Sequence, residues 1–459
     1  MESRKALNDT NFNLLLKFNA IESELNHLKV EFISVKQELA DTKLELAKYK
    51  IKKNSQNSSI APSKDENRIK KNQSLREQST KKIGGQVGHK GSTLEMISIP
   101  THIEVLQVGT CSNCGLDIRN VVSSNTEKRQ VVDIAPIQPT IVIEYQSISK
   151  ICSCGKCNKA VFPLGVNAPI QYGPKLESLI AYLSVRQYMP FKRIKEYLST
   201  TTELNLSQGT IQNILSRMAS KALPFYNLIK ENISQSPYVG GDESSMRVNG
   251  SKNWFWTIQN DNYTLIHCSD NRGFATLEEI YPQGLPNAVI GHDAYALWFK
   301  FKGKDHQLCL AHLQRDLNYF KELHPNESWI TDLKTLFHQA IDWKKNINNG
   351  IHSFKEQLKK LLENPPNKQL SALFTFYKRI LKYKDHLLTF LDYDFVPADN
   401  NGSERAIRVA KVKTKISGQF KSIDNAQIFA ILRSIIDSLI KQNKNILENL
   451  FLVALAIPE

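Results

Sequence analysis

The sequence predicts a multidomain chain of the α+β class, and three observations carry that reading. Apolar residues recur about every 3.5 positions over residues 14–49, five of the seven cysteines crowd into residues 111–157, and residues 238–268 read as three short strands with tight connections. A chain of 459 residues is more than one hydrophobic core usually serves, so several modules are expected.

Charge narrows the class of partner. Lys and Arg number 60 against 45 Asp and Glu, a formal charge of +15, which favours a polyanion such as DNA, RNA or an acidic membrane. No secretory signal is visible at the N-terminus, and the apolar run at residues 450–457 is too short to span a bilayer. A cytoplasmic protein without a membrane segment is therefore expected, and in a reducing compartment clustered cysteines point to metal rather than to disulfides.

Residues 1–50 are predicted to form a coiled coil. Leu14, Phe18, Ile21, Leu25, Leu28, Phe32, Val35, Leu39, Leu46 and Tyr49 follow alternating steps of four and three, broken only at Thr42. One amphipathic helix packed on its own protein is the plainer alternative, but no second heptad helix follows nearby, so self-association into a homo-oligomer is expected. Residues 51–100 form a basic arm. Its first 42 residues carry ten Lys or Arg against three acids and almost no large apolar groups, which cannot make a core. Lys81, Lys82 and Lys90 in KKIGGQVGHKG suit salt-dependent phosphate contacts, with a solvated linker as the alternative. His89 reads as a surface residue.

Residues 101–165 read as a zinc-binding module. Cys111-Ser-Asn-Cys114-Gly and Cys152-Ser-Cys154-Gly-Lys-Cys157 are two knuckles separated by strand-like sequence, an arrangement that gives one structural Zn²⁺ two thiolates from each turn. Cys154 and Cys157 have the better spacing, leaving Cys152 as the alternate ligand. Residues 166–235 read as helices, in which Ser207 caps a helix carrying Thr210, Gln212, Asn213 and Arg217. Polar side chains early on a second helix after a turn fit a helix-turn-helix, although any helical hairpin has this outline.

Residues 236–421 carry the chemistry. Asn249-Gly250 separates the first two strands, a helix-like FATLEEIY follows the third, and AVIGHD and HQLCL continue as parallel additions. The order β-β-β-α-β-α-β is that of the ribonuclease H fold, and it puts Asp242 and Asp293 on neighbouring strands. Glu404 opens a later helix after the turn Asp399-Asn-Asn-Gly-Ser403. Oxygen ligands of this kind suit Mg²⁺ or Mn²⁺, and two such ions about 3.5–4 Å apart serve both ends of an in-line phosphoryl transfer. Either aspartate alone reads as an ordinary strand-end acid; the trio does not.

Around the trio, Glu404, Arg408, Lys411 and Lys415 share one helix face, and Arg405, Lys413 and Lys421 add positive charge. Cys309, His312 and Arg315 in CLAHLQRDL open a helix; two metal ligands without nearby partners make a weak site, so His312 and Arg315 are assigned supporting or DNA-positioning roles and Cys309 a core role. His292 receives no role. Residues 325–395 read as a helical insertion with Ile330, Leu333, Leu336, Phe337, Ala340, Leu370, Leu373, Phe374, Tyr377, Ile380 and Leu381 in its core, which accounts for Glu404 lying 111 residues beyond Asp293.

KKIGGQVGHKG, the CSNCG knuckle with its second cysteine cluster, GDESS, HDAY followed by CLAH and Arg315, and DNNGSERAIR occur in one order. In that order the chain resembles the large transposase of the insertion sequence 66 family. The resemblance implies a DDE transposase in which Asp242, Asp293 and Glu404 bind two Mg²⁺ ions, nick double-stranded DNA at element ends and join the 3′-hydroxyls to target DNA. It also implies end-recognition and assembly roles for the coiled coil, zinc module and helix-turn-helix, and a helical C-terminal domain over residues 422–459. Some related elements encode small accessory proteins, a further class of partner. A zinc-containing regulator, or an inactive transposase that binds ends without cleaving, is the competing reading, and the intact trio favours the enzyme.

Overall fold

The computed structural model describes residues 2–50, 53, 57, 96–100, 102–122, 124–131, 140–154, 156–345 and 353–456. They divide into two compact units, one drawn from residues 1–68, 143–200 and 205–459 and the other from residues 69–142 and 201–204. Lys81, Lys82, His89 and Lys90 of the expected basic arm lie outside the described residues.

The apolar repeat forms one helix, α1 (Glu2–Lys50). At 1.5 Å per residue it is about 74 Å long. Phe18, Ile21, Leu25, Leu28, Phe32, Val35, Leu39 and Leu46 are each at least half exposed on it. In the smaller unit the first cysteine knuckle is a tight turn: Gly115 N–H donates to Cys111 O (3.0 Å), and Cys111 N–H donates to Leu116 O (2.9 Å). Gly115 closes it at φ +73°, a backbone region that glycine enters without strain. The second knuckle belongs to the larger unit and joins β1 (Ser149–Ile151) to β2 (Cys157–Lys159) as an antiparallel hairpin.

Helices α2 (Pro174–Ala181), α3 (Phe191–Thr202) and α4 (Gln208–Ser234) follow, with a π-helical turn over Tyr182–Arg186 after α2. Ser207 caps α4 as the sequence predicts, its hydroxyl accepting from Thr210 N–H at 2.9 Å. The buried stripe Ile211, Ile214, Leu215, Met218, Ala222, Tyr226, Ile229 and Ile233 recurs at three- and four-residue steps, so α4 is held by its apolar face.

Strands β3 (Tyr238–Val248), β4 (Ser251–Gln259) and β5 (Thr264–Ser269) form the antiparallel meander. Asn249 at φ +46° and Gly250 at φ +79° make the tight turn between the first two, the positive-φ pair that matches strand twist. Helix α5 (Phe274–Ile280) leads into β6 (Leu285–His292), parallel to β3, and β7 (Gly303–Leu308) lies parallel to β6. The sheet order is β5-β4-β3-β6-β7. The expected helix between the last two strands is a single 3₁₀ turn, Trp298–Lys300, because ten residues leave no room for more.

Helix α6 (Leu310–Leu323) follows β7, and α7 (Ser328–Lys345), α8 (Phe354–Glu363) and α9 (Ser371–Lys382) supply the insertion predicted at residues 325–395. Ile330, Leu333, Leu336, Phe337, Ala340, Leu373, Tyr377 and Ile380 are buried with Leu313, Leu317 and Phe320 of α6, and Leu370 and Phe374 pack at the margin. Leu381, expected inside, is 40% exposed; it sits one residue past Ile380 and faces outward.

The chain then returns to the sheet through α10 (Asn401–Ser417), α11 (Ile423–Lys441) and α12 (Ile446–Leu455). Helix α11, in the region expected as a helical C-terminal domain, lies in the larger unit with the sheet. Strand β5 is an edge whose outward N–H groups need partners. Ser438 Oγ accepts from Thr264 N–H (3.0 Å), Ser434 Oγ from Ile266 N–H (2.8 Å) and Gln427 Oε1 from Cys268 N–H (3.2 Å).

Two glycines on β3 let other elements approach closely. A Cβ at Gly240 would collide with Ser403 Oγ and Asn400 Oδ1 of the α10 start, and one at Gly241 would overlap the indole of Trp298. Successive residues on a strand face opposite sides, so Asp242 shares the α10 side with Gly240. Gly241→Ala should therefore lower stability by about 1–3 kcal/mol, read as a lower urea midpoint with an unchanged slope.

Candidate active site

Asp242 and Asp293 reach the same level of the sheet by register. Gly240 pairs with Gly291 across the parallel β3 and β6, so the residue two places beyond each, Asp242 and Asp293, stands beside the other. Gly291 permits this, because a side chain there would strike Tyr238. Glu404 arrives from α10, whose start is bonded to β3: Asn400 Nδ2 donates to Gly241 O (2.7 Å), Ser403 Oγ donates to Asn400 Oδ1 (2.7 Å), and Gln259 Nε2 donates to Ser403 Oγ (3.4 Å). Asn400, Ser403 and Gln259 are all buried.

The electrostatics record this convergence. Burial pushes the Asp242 carboxyl well above the ordinary range, and the charges of Glu243, Asp293 and Glu404 push it the same way. Glu243 N–H donates to Asp242 Oδ1 (2.8 Å) and opposes the shift. Asp293 is also raised, by burial and then by Glu243, while Tyr295 N–H, His312 and Arg272 act against it. Acids held this close favour a cation between them.

Glu404 is held by bases. His312 Nε2 lies 3.4 Å and Arg315 Nη2 3.2 Å from its Oε1, and Arg408 lies 3.9 Å from Oε2. His312 and Arg315 are thus turned toward a carboxylate. Cys309 is buried as expected, its thiol pushed up to about 11 mainly by burial, and Asn400 N–H points at its sulfur from 3.1 Å. Among the described residues one group of three metal-ligating types has its ligand atoms within 4.8 Å of one another: Cys309, His312 and Glu404.

Glu243 escaped the sequence reading. Its side chain is 2% exposed, accepts from Arg272 Nη2 at 2.7 Å and from Trp298 Nε1 at 3.1 Å. Arg272 in turn lies over the rings of Trp254 (4.7 Å) and Tyr295 (4.1 Å). GDESS gives one signal for Glu243, an acid beside Asp242; Arg272 sits in a loop that gives none. His292, without a role in the sequence, is buried and bonded to Asp293 O and to His306 Nδ1 (3.1 Å). Burial pushes it down to about 3, so it is neutral and braces the strand end that carries Asp293.

Residues 169–428 match the family model described as Transposase IS66 family. The chain belongs to the IS66 transposase family. Residues 16–95 match a second model, described as a family of unknown function (DUF6444). The comparison with curated proteins found no match.

The IS66 match covers the sheet, the helical insertion, α10 and the helical pair α3 and α4. On α4, Gln212 Nε2 donates to Asn425 Oδ1 (2.6 Å) and Arg217 pairs with Glu177 at 2.7 Å. These two expected base-reading side chains are engaged within the chain, whereas Asn213 is exposed and Thr210 closes the Ser207 cap. On α10, Arg405, Arg408 and Lys415 are exposed and Lys411 half-buried. Lys413, expected to add to the positive field, is buried and pushed down to about 8 by burial. The cysteines of both knuckles are free thiols, with Cys111 and Cys114 in one unit and Cys152, Cys154 and Cys157 in the other. No helix of the described residues is long and apolar enough to cross a membrane.

Asp242 and Asp293 have folded-state values above their unfolded ones, so their stabilising contribution is complete below about pH 4 and is lost as pH rises through the raised values. Metal-free protein should lose stability over that window. Asp242→Asn should flatten the loss and raise the neutral-pH melting temperature by a few degrees, and added Mn²⁺ should stabilise the wild type more than the variant. Calorimetry across pH with and without Mn²⁺ checks both, and equal Mn²⁺ effects on the two proteins would count against cation binding by Asp242.

Proposed function

We propose that this IS66-family protein is a DDE transposase with a ribonuclease H-like core, which binds the ends of an insertion sequence, cleaves DNA by metal-dependent hydrolysis and joins 3′-hydroxyl ends to target DNA. One observation carries the reading: strand register sets Asp242 level with Asp293, and the start of the helix that carries Glu404 is bonded to β3 at Gly241, so three acids distant in sequence are brought to one end of the sheet. The sheet order supports the fold assignment.

The donor set at the trio is carboxylate oxygen, which suits two Mg²⁺ or Mn²⁺ ions rather than a softer metal. Such ions, when bound, activate the attacking water or 3′-hydroxyl and stabilise the leaving oxygen. The chain's own residues do the positioning. Register brings Asp242 and Asp293 level, Asn400 and Ser403 anchor the helix that carries Glu404, and Arg315 and His312 orient its carboxylate. Arg405, Arg408, Lys411 and Lys415 line the same helix and attract the phosphate backbone. No side chain needs to become covalently attached to DNA.

The remaining modules serve assembly and recognition in this reading. The bare apolar stripe of α1 pairs with another copy. Cys111, Cys114, Cys154 and Cys157, with Cys152 as alternate, hold one structural Zn²⁺. Lys81, Lys82 and Lys90 contact phosphates, α3 and α4 act as the DNA-binding hairpin with Thr210 and Asn213 outermost, and small accessory proteins of the same element join the complex. The protein works in the cytoplasm on chromosomal and element DNA.

Asp293→Ala should reduce cleavage and strand transfer on end DNA by more than about a hundredfold while leaving end binding unchanged in a gel-shift assay. Undiminished transfer would sink the catalytic assignment, and a wild type that binds without cleaving would make the protein a regulator. Substituting both Leu25 and Leu39 with Lys should convert an oligomer to a monomer by light scattering; an unchanged mass would remove α1 from assembly.

A further inference from the structure

Cys309 and His312 are three residues apart at the start of α6 and look incomplete as a metal site in the sequence. The fold supplies what is missing, since α10 brings Glu404 alongside, and one ligand atom from each of the three lies within 4.8 Å of the others. We propose that Cys309, His312 and Glu404 form a second metal site, distinct in chemistry from the aspartate side of the trio, that takes Zn²⁺ or a similar borderline transition-metal ion.

Donor chemistry, geometry and surroundings agree on this. Thiolate, imidazole and carboxylate select zinc-like ions, whereas Mg²⁺ avoids sulfur and seldom uses imidazole. With Zn–S near 2.3 Å and Zn–N and Zn–O near 2.0–2.2 Å, tetrahedral ligands stand about 3.5 Å apart, so small side-chain adjustments close the set. His312 already faces Glu404 through Nε2 at 3.4 Å, and its buried Nδ1 has no hydrogen-bond partner. Asn400 N–H, 3.1 Å from Cys309 Sγ, donates in the manner that stabilises a metal-bound thiolate. Three protein ligands leave a fourth position open. On binding, the Cys309 thiol gives up its proton to solvent as the metal–sulfur bond forms.

Glu404 is then shared between two kinds of metal. If the trio works as proposed above, zinc at Cys309 and His312 draws Glu404 away from the ions held with Asp242 and Asp293, and zinc availability restrains the reaction. The site itself stands without that reading.

The test uses the full chain, stripped of metal and titrated with Co²⁺ alone, following thiolate-to-cobalt charge-transfer absorption and then bound metal by elemental analysis after dialysis. Wild type should retain one equivalent more than Cys309→Ser and one more than His312→Ala, over whatever the knuckle cysteines hold. Glu404→Gln should weaken retention without removing the thiolate band, and covers the case in which Cys309→Ser fails to fold. Asp293→Ala should keep the extra equivalent even though strand transfer is lost, which separates this site from the catalytic assignment. Equal retention in wild type and His312→Ala, both folded by circular dichroism, would overturn the proposal.

Discussion

Everything at the site depends on how closely the start of α10 lies on β3. The contact exists because Gly240 has no side chain: Ser403 and Asn400 occupy the space a Cβ would take, and Asn400 bonds the carbonyl of Gly241. That approach delivers Glu404 to the neighbourhood of Asp242, 162 residues earlier in the chain. The helical insertion is tied to the same sheet, since its apolar cluster takes in Tyr238 of β3, Val289 of β6 and Leu308 of β7.

The second constraint is charge crowding. Asp242, Glu243 and Asp293 share a poorly solvated corner, and only Glu243 has a full counter-charge, from Arg272. A buried ion pair of this kind stabilises little on balance, but losing one partner is costly. Its service is to orientation: Glu243 also holds the Trp298 indole that fills the space opposite Gly241. Arg272 and His312 lower the Asp293 carboxyl, but burial and Glu243 outweigh them, so the aspartate pair is left without a full counter-charge.

What the sequence disclosed was what local pattern can carry. The 3.5-residue repeat, the Asn249-Gly250 turn, the Ser207 cap and the strand alternation each depend on neighbours a few positions apart, and each is found where expected. The strand and cap patterns also locate Asp242 within β3, Asp293 just past β6 and Glu404 in the first turn of α10. Arg272 beside Glu243, Asn400 beneath Gly241 and Glu404 beside Cys309 and His312 were not legible, because each pairing is made by sheet register or by helix docking over long separations. The same limit hid other pairings: Gln212 bonds Asn425 and Arg217 pairs with Glu177 across long separations, and Lys413 lies on a helix face that packs inward.

The serine and glutamine rungs that α11 lays along β5 tie the integrity of the sheet to the far end of the gene. Gln427, Ser434 and Ser438 cover three successive outward N–H groups of that strand. A chain cut between residues 404 and 427 keeps Asp242, Asp293 and Glu404 yet lacks all three rungs, leaving β5 with a raw, pairing-competent margin. An exposed strand margin of this kind favours edge-to-edge association between chains, so the last helices of the chain act as a guard on the sheet as well as a support.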